Sequence, residues 1–190
     1  MKLSENEQDI HDLIEALGKK RETLVQKEAL ESLVTLGEPV VDVLITALKD
    51  TRWSVRERAA VALGRIRDAR AVDPLVQALK DADRRVEWAV AYALGEIGDA
   101  RAAAPLIQIL SEERCAVPRE VVAALGKIGD PMAVDPLIEV LQDVTSNVRD
   151  EAAIALGMIG DARALRPLER ALEDDNKFVR EAAMAALEML

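Results

Sequence analysis

The chain has 190 residues, a net charge of −10 and one cysteine, and half of its residues are apolar while 32% are charged. No apolar stretch approaches the length that crosses a membrane, the acidic balance argues against nonspecific binding to nucleic acid or anionic membranes, and a lone Cys115 excludes an internal disulfide. This composition is typical of a helix-rich protein in a reducing cytoplasm, and we do not expect the acidic, amphipathic N-terminal segment to be a signal peptide.

In chain order, the sequence is built from a unit of 31 residues. The four clearest copies start at Val55, Val86, Val117 and Val148. A weaker copy starts at Val25, and a final half copy starts at Val179. The sequence therefore predicts one repeat domain over residues 1–190, with a half unit at 1–24, full units at 25–54, 55–85, 86–116, 117–147 and 148–178, and a half unit at 179–190.

Each unit predicts a helical hairpin, and the whole chain predicts about twelve helices. The first helix, which we call helix A, follows the pattern V-x-x-x-A-A-x-A-L-G-x-I and ends at a glycine suited to a left-handed C-cap, as at Gly98, Gly129 and Gly160. The aspartate after that glycine caps a tight turn. The second helix, helix B, is predicted to start near an Asp-Pro pair such as Asp73-Pro74 and to end in a polar connector.

Helix A has a predicted core stripe and a predicted outward face. Positions are counted as offsets from the starting valine, at 100° per residue around the helix. Offsets 0, 4, 7, 8 and 11 fall on one side and carry Val, Ala, Leu or Ile in nearly every unit. Offsets 2, 6 and 9 are predicted to point the opposite way. Offset 9 is glycine in four units, which indicates close approach of another backbone.

All four aromatic residues lie outside the predicted core stripe. Trp88 and Tyr92 occupy offsets 2 and 6, where other units carry polar or small residues, and Trp53 and Phe178 lie just before a starting valine. The segment 52–70 contains six arginines and only two acidic residues, which predicts a locally positive charge in an acidic protein. Exposed aromatic rings beside arginines are typical of binding hot spots. The predicted binding residues are Trp53, Arg58, Val61, Arg65, Arg85, Trp88, Tyr92, Arg119, Ile154, Met158 and Phe178.

The same aromatic residues have a plainer interpretation. They could pack on the aliphatic stems of arginines and only cover the groove, or fill space between neighbouring helices. The two interpretations differ in their consequences, because a packing role predicts lost stability on truncation and a binding role predicts lost affinity.

The repeat resembles the short HEAT-like repeats of the phycobilisome-lyase type, over nearly the whole chain. In one unit the residues that carry the resemblance are Val55, Arg56, Ala59, Ala60, Leu63, Gly64, Ile66, Asp68, Ala71, Pro74 and Leu75. The resemblance implies a right-handed α-solenoid in which the variable face of helix A lines the concave side. Related enzymes carry His-Glu pairs at offsets 2 and 3 that hold a di-iron centre. No histidine stands at these positions here, which excludes deoxyhypusine hydroxylase activity.

The sequence offers no catalytic constellation. His11 is the only histidine, so a catalytic triad or a site with several histidines is not expected. Cys115 lies in a connector without an evident activating base, and the Asp150-Glu151 pair is expected to be solvated. We therefore predict no catalytic residues, no metal and no cofactor.

The leading functional hypothesis is a noncatalytic scaffold that binds a protein segment, acidic and with an apolar anchor, in the concave groove. The resemblance implies one alternative, a bilin lyase or carrier with a tetrapyrrole stacked on Trp88 and its propionates at Arg58 or Arg85. Nucleic-acid binding through an arginine-lined groove is a further alternative, which the net charge disfavours. Met184 and Met189 near the C-terminus predict association of copies through the last helix.

Overall fold

The computed structural model describes residues 5–19, 24–112 and 115–190, and the regular elements in those residues are all helical. Its α-helices are α1 (Glu5–Leu17), α2 (Leu24–Leu36), α3 (Val41–Ala47), α4 (Trp53–Ile66), α5 (Val72–Gln77), α6 (Arg84–Ile97), α7 (Ala103–Leu110), α8 (Pro118–Ile128), α9 (Val134–Val140), α10 (Ser146–Ile159), α11 (Leu165–Ala171) and α12 (Lys177–Met189). The predicted all-α class is thereby confirmed. Among these described helices, none is both long enough and apolar enough to traverse a lipid bilayer.

The chain forms two compact units, Met1–Ala93 and Leu94–Leu190, which we call the N-terminal and C-terminal units. Helix α6 begins in the first and ends in the second. In the C-terminal unit the A helices pack side by side, with α10 against α8 on one flank and α12 on the other. The grouping of all repeats into one domain stays a prediction.

The ends of the A helices follow the glycine pattern. Gly98, Gly129 and Gly160 each have a φ of 72°, in the left-handed region that glycine tolerates best. Asp130 then accepts a hydrogen bond from the backbone N–H of Met132, as the predicted turn cap requires. These predictions are confirmed, and Pro118 opens α8 at a position where a proline costs little.

One turn of the N-terminal unit breaks the glycine pattern. Arg67 occupies the place that Gly98 has one repeat later, and it adopts a φ of 61°. An L-residue with a side chain pays about 1–2 kcal/mol for this conformation, because its Cβ crowds the following carbonyl. The N-terminal unit therefore contains a strained helix end that the C-terminal unit avoids.

Helix B begins slightly earlier than the Asp-Pro pair predicted. In the first clear repeat, Asp68 caps a 3₁₀ turn over Ala69–Ala71, and α5 follows at once from Val72. Asp73 and Pro74 therefore lie inside the first turn of α5. The proline is tolerated there because the first N–H groups of a helix have no intrahelical acceptor.

Each A helix of the four clear repeats contributes one buried leucine to the core. Leu63, Leu94, Leu125 and Leu156, all at offset 8, are at most 1% exposed. The valines and alanines at offsets 0, 4 and 7 are buried with them, while the isoleucines at offset 11 are half-buried. The predicted stripe omitted offset 5, which is fully buried in four repeats as Ala60, Ala91, Val122 and Ala153.

The prediction that offset 9 points outward is wrong. Gly126 and Gly157 are buried, and each faces the alanine at offset 7 of the next A helix. A Cβ added to Gly157 would lie 2.8 Å from the Cα of Ala186, closer than any real contact. A single helical wheel assumes one packing partner, whereas helix A here is buried on a flank as well.

Two arginines at offset 1 connect successive turns of the repeat. In the N-terminal unit, Nε of Arg56 donates to Asp81 at 2.7 Å, and its Nη1 donates to the carbonyl of Asp50 at 2.8 Å. In the C-terminal unit, Arg149 makes the same contacts to Asp174 and to the carbonyl of Asp143. We call each of these arrangements an arginine clasp, because one side chain fixes the connector before its helix and the connector after it.

Candidate functional site

The first turn of α4 and one face of α6 bring four of the predicted binding residues together in the N-terminal unit. Arg85, Trp88 and Tyr92 lie three and four residues apart, which places them in one row along α6. Trp53 begins α4, and its ring meets this row at Arg85. We call Trp53, Arg85, Trp88 and Tyr92 the aromatic surface.

The rings of Trp88 and Tyr92 form a flat apolar platform. Their centroids are 5.7 Å apart and their planes differ by 2°, which is an offset-stacked arrangement. Trp88 is 42% exposed, while Tyr92 is half-buried. The prediction that these rings lie outside the core is thus confirmed for Trp88. The ring of Tyr92 is half-buried and stacks against one face of the Trp88 ring.

The ring of Trp53, the third ring of the aromatic surface, is covered by the guanidinium of Arg85. The guanidinium carbon of Arg85 lies 3.3 Å from the ring centroid of Trp53, a cation–π contact. Nη2 of Arg85 also donates to Asp83 at 2.7 Å. The hydrogen bond from Arg85 lowers the pKa of Asp83 to about 2, so this carboxylate keeps its charge at neutral pH.

The other arginines predicted beside the rings have partners within the N-terminal unit. Arg65 donates to Glu31 at 2.6 Å. Arg58 donates to the carbonyl of Ser54 at 3.1 Å, lies 3.7 Å from Oε2 of Glu57, and is largely buried. The predicted reversal of charge is therefore mostly neutralised by carboxylates of the same unit.

The acidic partners of Arg58 and Arg65 were not predicted, but the sequence does contain a signal for the partner of Arg85. Five arginines follow an aspartate by two residues, and each donates both a backbone and a side-chain hydrogen bond to the carboxylate of that aspartate. The pairs are Asp50 with Arg52, Asp68 with Arg70, Asp83 with Arg85, Asp99 with Arg101, and Asp161 with Arg163. The recurring Asp-x-Arg motif thus predicts an arginine whose charge is balanced locally.

The remaining predicted residues are distributed over separate positions. Val61 is half-buried on α4 of the N-terminal unit. In the C-terminal unit, Ile154 and Met158 are exposed one turn apart on α10, and Phe178 is exposed in the first turn of α12. Arg119 pairs with Glu151 at 3.0 Å. This outward face thus carries dispersed apolar residues and an Arg–Glu ion pair, and no stacked rings are described there.

The described residues hold no arrangement suited to metal binding, because no three or more of their His, Cys, Asp and Glu side chains come together for it. His11 is exposed on α1, and Cys115 is half-buried in the connector before α8. The expectation that the Asp150-Glu151 pair is solvated is wrong, because Oδ1 of Asp150 is buried without a hydrogen-bond partner within the described chain and Glu151 is held by Arg119. Among the described residues, the aromatic surface is where stacked aromatic rings and an exposed arginine come together.

Comparison with known proteins places the chain among repeat proteins. A family model described as HEAT repeats matches residues 41–114 and 103–188. An engineered protein of solved structure is 26% identical, with 95% of this chain and 96% of that chain covered and a TM-score of 0.67. No curated protein matches the sequence.

Two further solved structures show the same fold at lower identity. A designed armadillo repeat protein in complex with the peptide (KR)4 is 23% identical, with 95% of this chain and 99% of that chain covered and a TM-score of 0.64. The complex of CpcE and CpcF of phycocyanin lyase from a Nostoc species is 24% identical, with 98% and 76% covered and a TM-score of 0.67. These likenesses confirm the predicted α-solenoid class and the predicted HEAT-like repeats.

Proposed function

Because the chain belongs to the HEAT repeat family, we propose that it is a noncatalytic scaffold that binds a segment of a protein partner on the aromatic surface. The fold is one that serves protein interaction, and the repeat itself carries no catalytic group. The observation that carries the proposal is the platform of Trp88 and Tyr92, held outside the core on a rigid helix.

The platform has the properties of a binding anchor. Offset 2 is a charged residue in the other clear repeats, as at Glu57, Arg119 and Asp150, so the frame of the repeat does not require an indole there. An exposed indole stacked on a phenol offers a large apolar area, and its side chains lose little conformational freedom when a partner binds. The same position would therefore suit an apolar side chain of the partner.

The charge of the partner follows from which arginines remain accessible. Arg58 is largely buried and Arg65 is paired with Glu31, so neither supports strong attraction of an acidic segment. Arg85 is 55% exposed and lies in the aromatic surface itself. Its Nε and Nη2 already donate to Asp83, so we infer a partner with an apolar anchor on Trp88 and an acidic residue beside it that competes with Asp83 for Arg85.

The alternative functions differ from this one in observable ways. A tetrapyrrole stacked on Trp88 would give the purified protein a visible absorbance band, and the fold likeness to the phycocyanin lyase complex is the support for it. Nucleic-acid binding would show a steep salt dependence. The internal pairing of Arg52, Arg58 and Arg65 argues against several phosphate contacts.

The test starts from peptides selected on the immobilised protein from a random display library. For a selected peptide, Trp88→Ala and Tyr92→Ala should each weaken binding by about 2 kcal/mol or more, measured by calorimetry. Their effects should couple rather than add, because the two rings are in contact. Ile154→Ala, an apolar truncation on the other unit, is the matched control and should leave the affinity unchanged. If Trp88→Ala lowers the melting temperature by several degrees yet binds every peptide as before, the rings have a packing role and the proposal fails.

A further inference from the structure

The last hairpin of the C-terminal unit, α11 and α12, exposes apolar residues at places that earlier repeats bury. The exposed fractions are 41% for Leu165, 40% for Leu172 and 56% for Met184, against 0% for Val134, 5% for Leu141 and 0% for Ala153 one repeat earlier. The face of a repeat that is left in water is usually polar. The face of α11 and α12 therefore has the character of an interior surface.

The next repeat of the same kind could not cover this face in the usual way. In α10, Gly157 lies against Ala186 of α12, and an added Cβ would come within 2.8 Å of its Cα. The residue at the same offset of α12 is Glu188, which is exposed. A glutamate at this place blocks the close approach that glycine permits, so a further A helix would not pack here as α12 packs on α10.

The charges on this face are complementary to themselves. Arg180, Met184 and Glu188 follow one another at intervals of four residues, so they lie in one row along α12. This row corresponds to Arg149, Ala153 and Gly157 one repeat earlier, on α10. Gly157 of that earlier row packs against Ala186 of α12. Nη1 of Arg180 donates to the carbonyls of Asp174 and Asp175, which fixes the guanidinium at the first turn of α12.

A second copy of α12, packed antiparallel to the first, pairs the charges of this row. If Met184 of one copy packs on Met184 of a second, Arg180 and Glu188 lie equally far from the centre on opposite sides. Each Arg180 then faces Glu188 of the other copy, and two equivalent ion pairs flank an apolar centre. A twofold interface requires this reciprocity, since the same patch must complement itself.

We propose that two copies of this chain associate through the α11–α12 face, with their α12 helices antiparallel and centred on Met184. Leu165 and Leu172 extend the apolar contact on the α11 side. The interface lies in the C-terminal unit, whereas the aromatic surface lies in the N-terminal unit, so each proposal can fail without the other.

The test measures the molar mass of the full chain by light scattering during gel filtration, over a range of loading concentrations. The wild type should approach twice the chain mass of 20.7 kDa. Arg180→Glu and Glu188→Arg should each raise the dissociation constant of the dimer about tenfold or more, because like charges then face each other at both ends. The double variant Arg180→Glu/Glu188→Arg should restore the dimer, since the exchange recreates both pairs.

Arg84→Glu is the matched control for the change of charge, because position 84 is exposed in the first turn of α6 and belongs to the N-terminal unit. It should dimerise like the wild type. Circular dichroism confirms that each variant is folded, and Met184→Glu offers a second disruption that leaves both charges in place. A wild type that remains at 20.7 kDa at every concentration overturns the proposal, as does a double variant that stays monomeric while folded.

Discussion

The N-terminal and C-terminal units are built on the same buried residues and differ in what they display. Leu63 of α4 and Leu156 of α10 are both fully buried, at the same offset of the repeat. On the outward side, the first unit carries the stacked rings of Trp88 and Tyr92, while the second carries Ile154 and Met158. The buried positions are fixed by contacts that recur from repeat to repeat, whereas the outward positions carry different residues in each repeat, and some of them, such as Arg119 with Glu151, pair with a neighbouring repeat.

The largest effect should come from the shared buried row. Leu63→Ala and Leu156→Ala should each destabilise the protein by about 2–5 kcal/mol, because each removes a filled volume that rigid helices do not close. Urea unfolding followed by circular dichroism measures the loss. Ile154→Ala is the matched control on the outward side of α10 and should cost about 1 kcal/mol or less. Equal costs for Leu156→Ala and Ile154→Ala would show that the two sides of the helix are not distinguished by burial.

The glycines on the flank of helix A should give the next largest effect, again in both units. Gly64→Ala and Gly157→Ala gain helix propensity worth about 1 kcal/mol. Against this, the new Cβ would lie 2.6 Å from the Cα of Ala93 or 2.8 Å from that of Ala186. The backbones must separate, and overpacking of this kind costs about 1–3 kcal/mol.

We therefore expect both glycine variants to be destabilised in thermal unfolding. The control is Ser32→Ala, at an exposed helical position of α2, where loss of a side-chain bond to its own helix should change little. A stabilised Gly157→Ala variant would contradict the close packing of α10 on α12.

The repeat period and the caps could be read from the sequence because they depend on local rules. Gly98 and Asp99, for example, specify a helix end and a turn without reference to the rest of the chain. The burial of Ala60 and Gly64 could not be read in the same way, since it depends on a neighbouring helix that a single wheel does not contain. The period of the repeat predicts that another helix A follows 31 residues later, but it does not predict which side of the first helix that helix packs against.

The sequence predicted which aromatic residues form the aromatic surface, but it did not predict how the nearby arginines are paired. The rings were found because they stand where other repeats carry charged or small residues. The neutralisation of Arg65 by Glu31 joins residues 34 positions apart, so it requires the register between successive hairpins. Arg58 differs again, because it is removed from the surface by backbone carbonyls that carry no sequence signal.

A smaller difference between the units lies at the helix end where Arg67 replaces glycine. Arg67→Gly should stabilise the protein by about 1 kcal/mol, since glycine adopts a φ of 61° without the crowding of a Cβ. Gly160→Ala should have the opposite effect at the matching place in the C-terminal unit. Thermal unfolding of the two variants and the wild type measures both. Two shifts of the same sign would mean that the left-handed conformation is not what separates these positions.

The smallest effect concerns the arginine clasps, which both units share but hold at different depths. The hydrogen bond from Arg149 lowers the pKa of Asp174 to about 2, from an ordinary value of 3.8. For Asp81, burial is the largest influence and raises the pKa, yet the hydrogen bond from Arg56 and a backbone N–H leave it lowered overall. We expect both Asp81 and Asp174 to titrate below their ordinary value, in carbon-13 spectra of the side-chain carboxyl groups.

The sign of the pH dependence follows from these lowered pKa values. A carboxylate with a lowered pKa stabilises the folded state above its ordinary value of 3.8, and this contribution is lost as the pH falls toward about 2. For an ion pair near the surface we expect about 1 kcal/mol or less. Arg149→Ala should return Asp174 toward 3.8 and leave Asp81 unchanged, and Arg56→Ala should do the reverse. If Asp174 already titrates at its ordinary value in the wild type, the clasp of the C-terminal unit is not formed in solution and the two units differ more than their shared sequence pattern indicates.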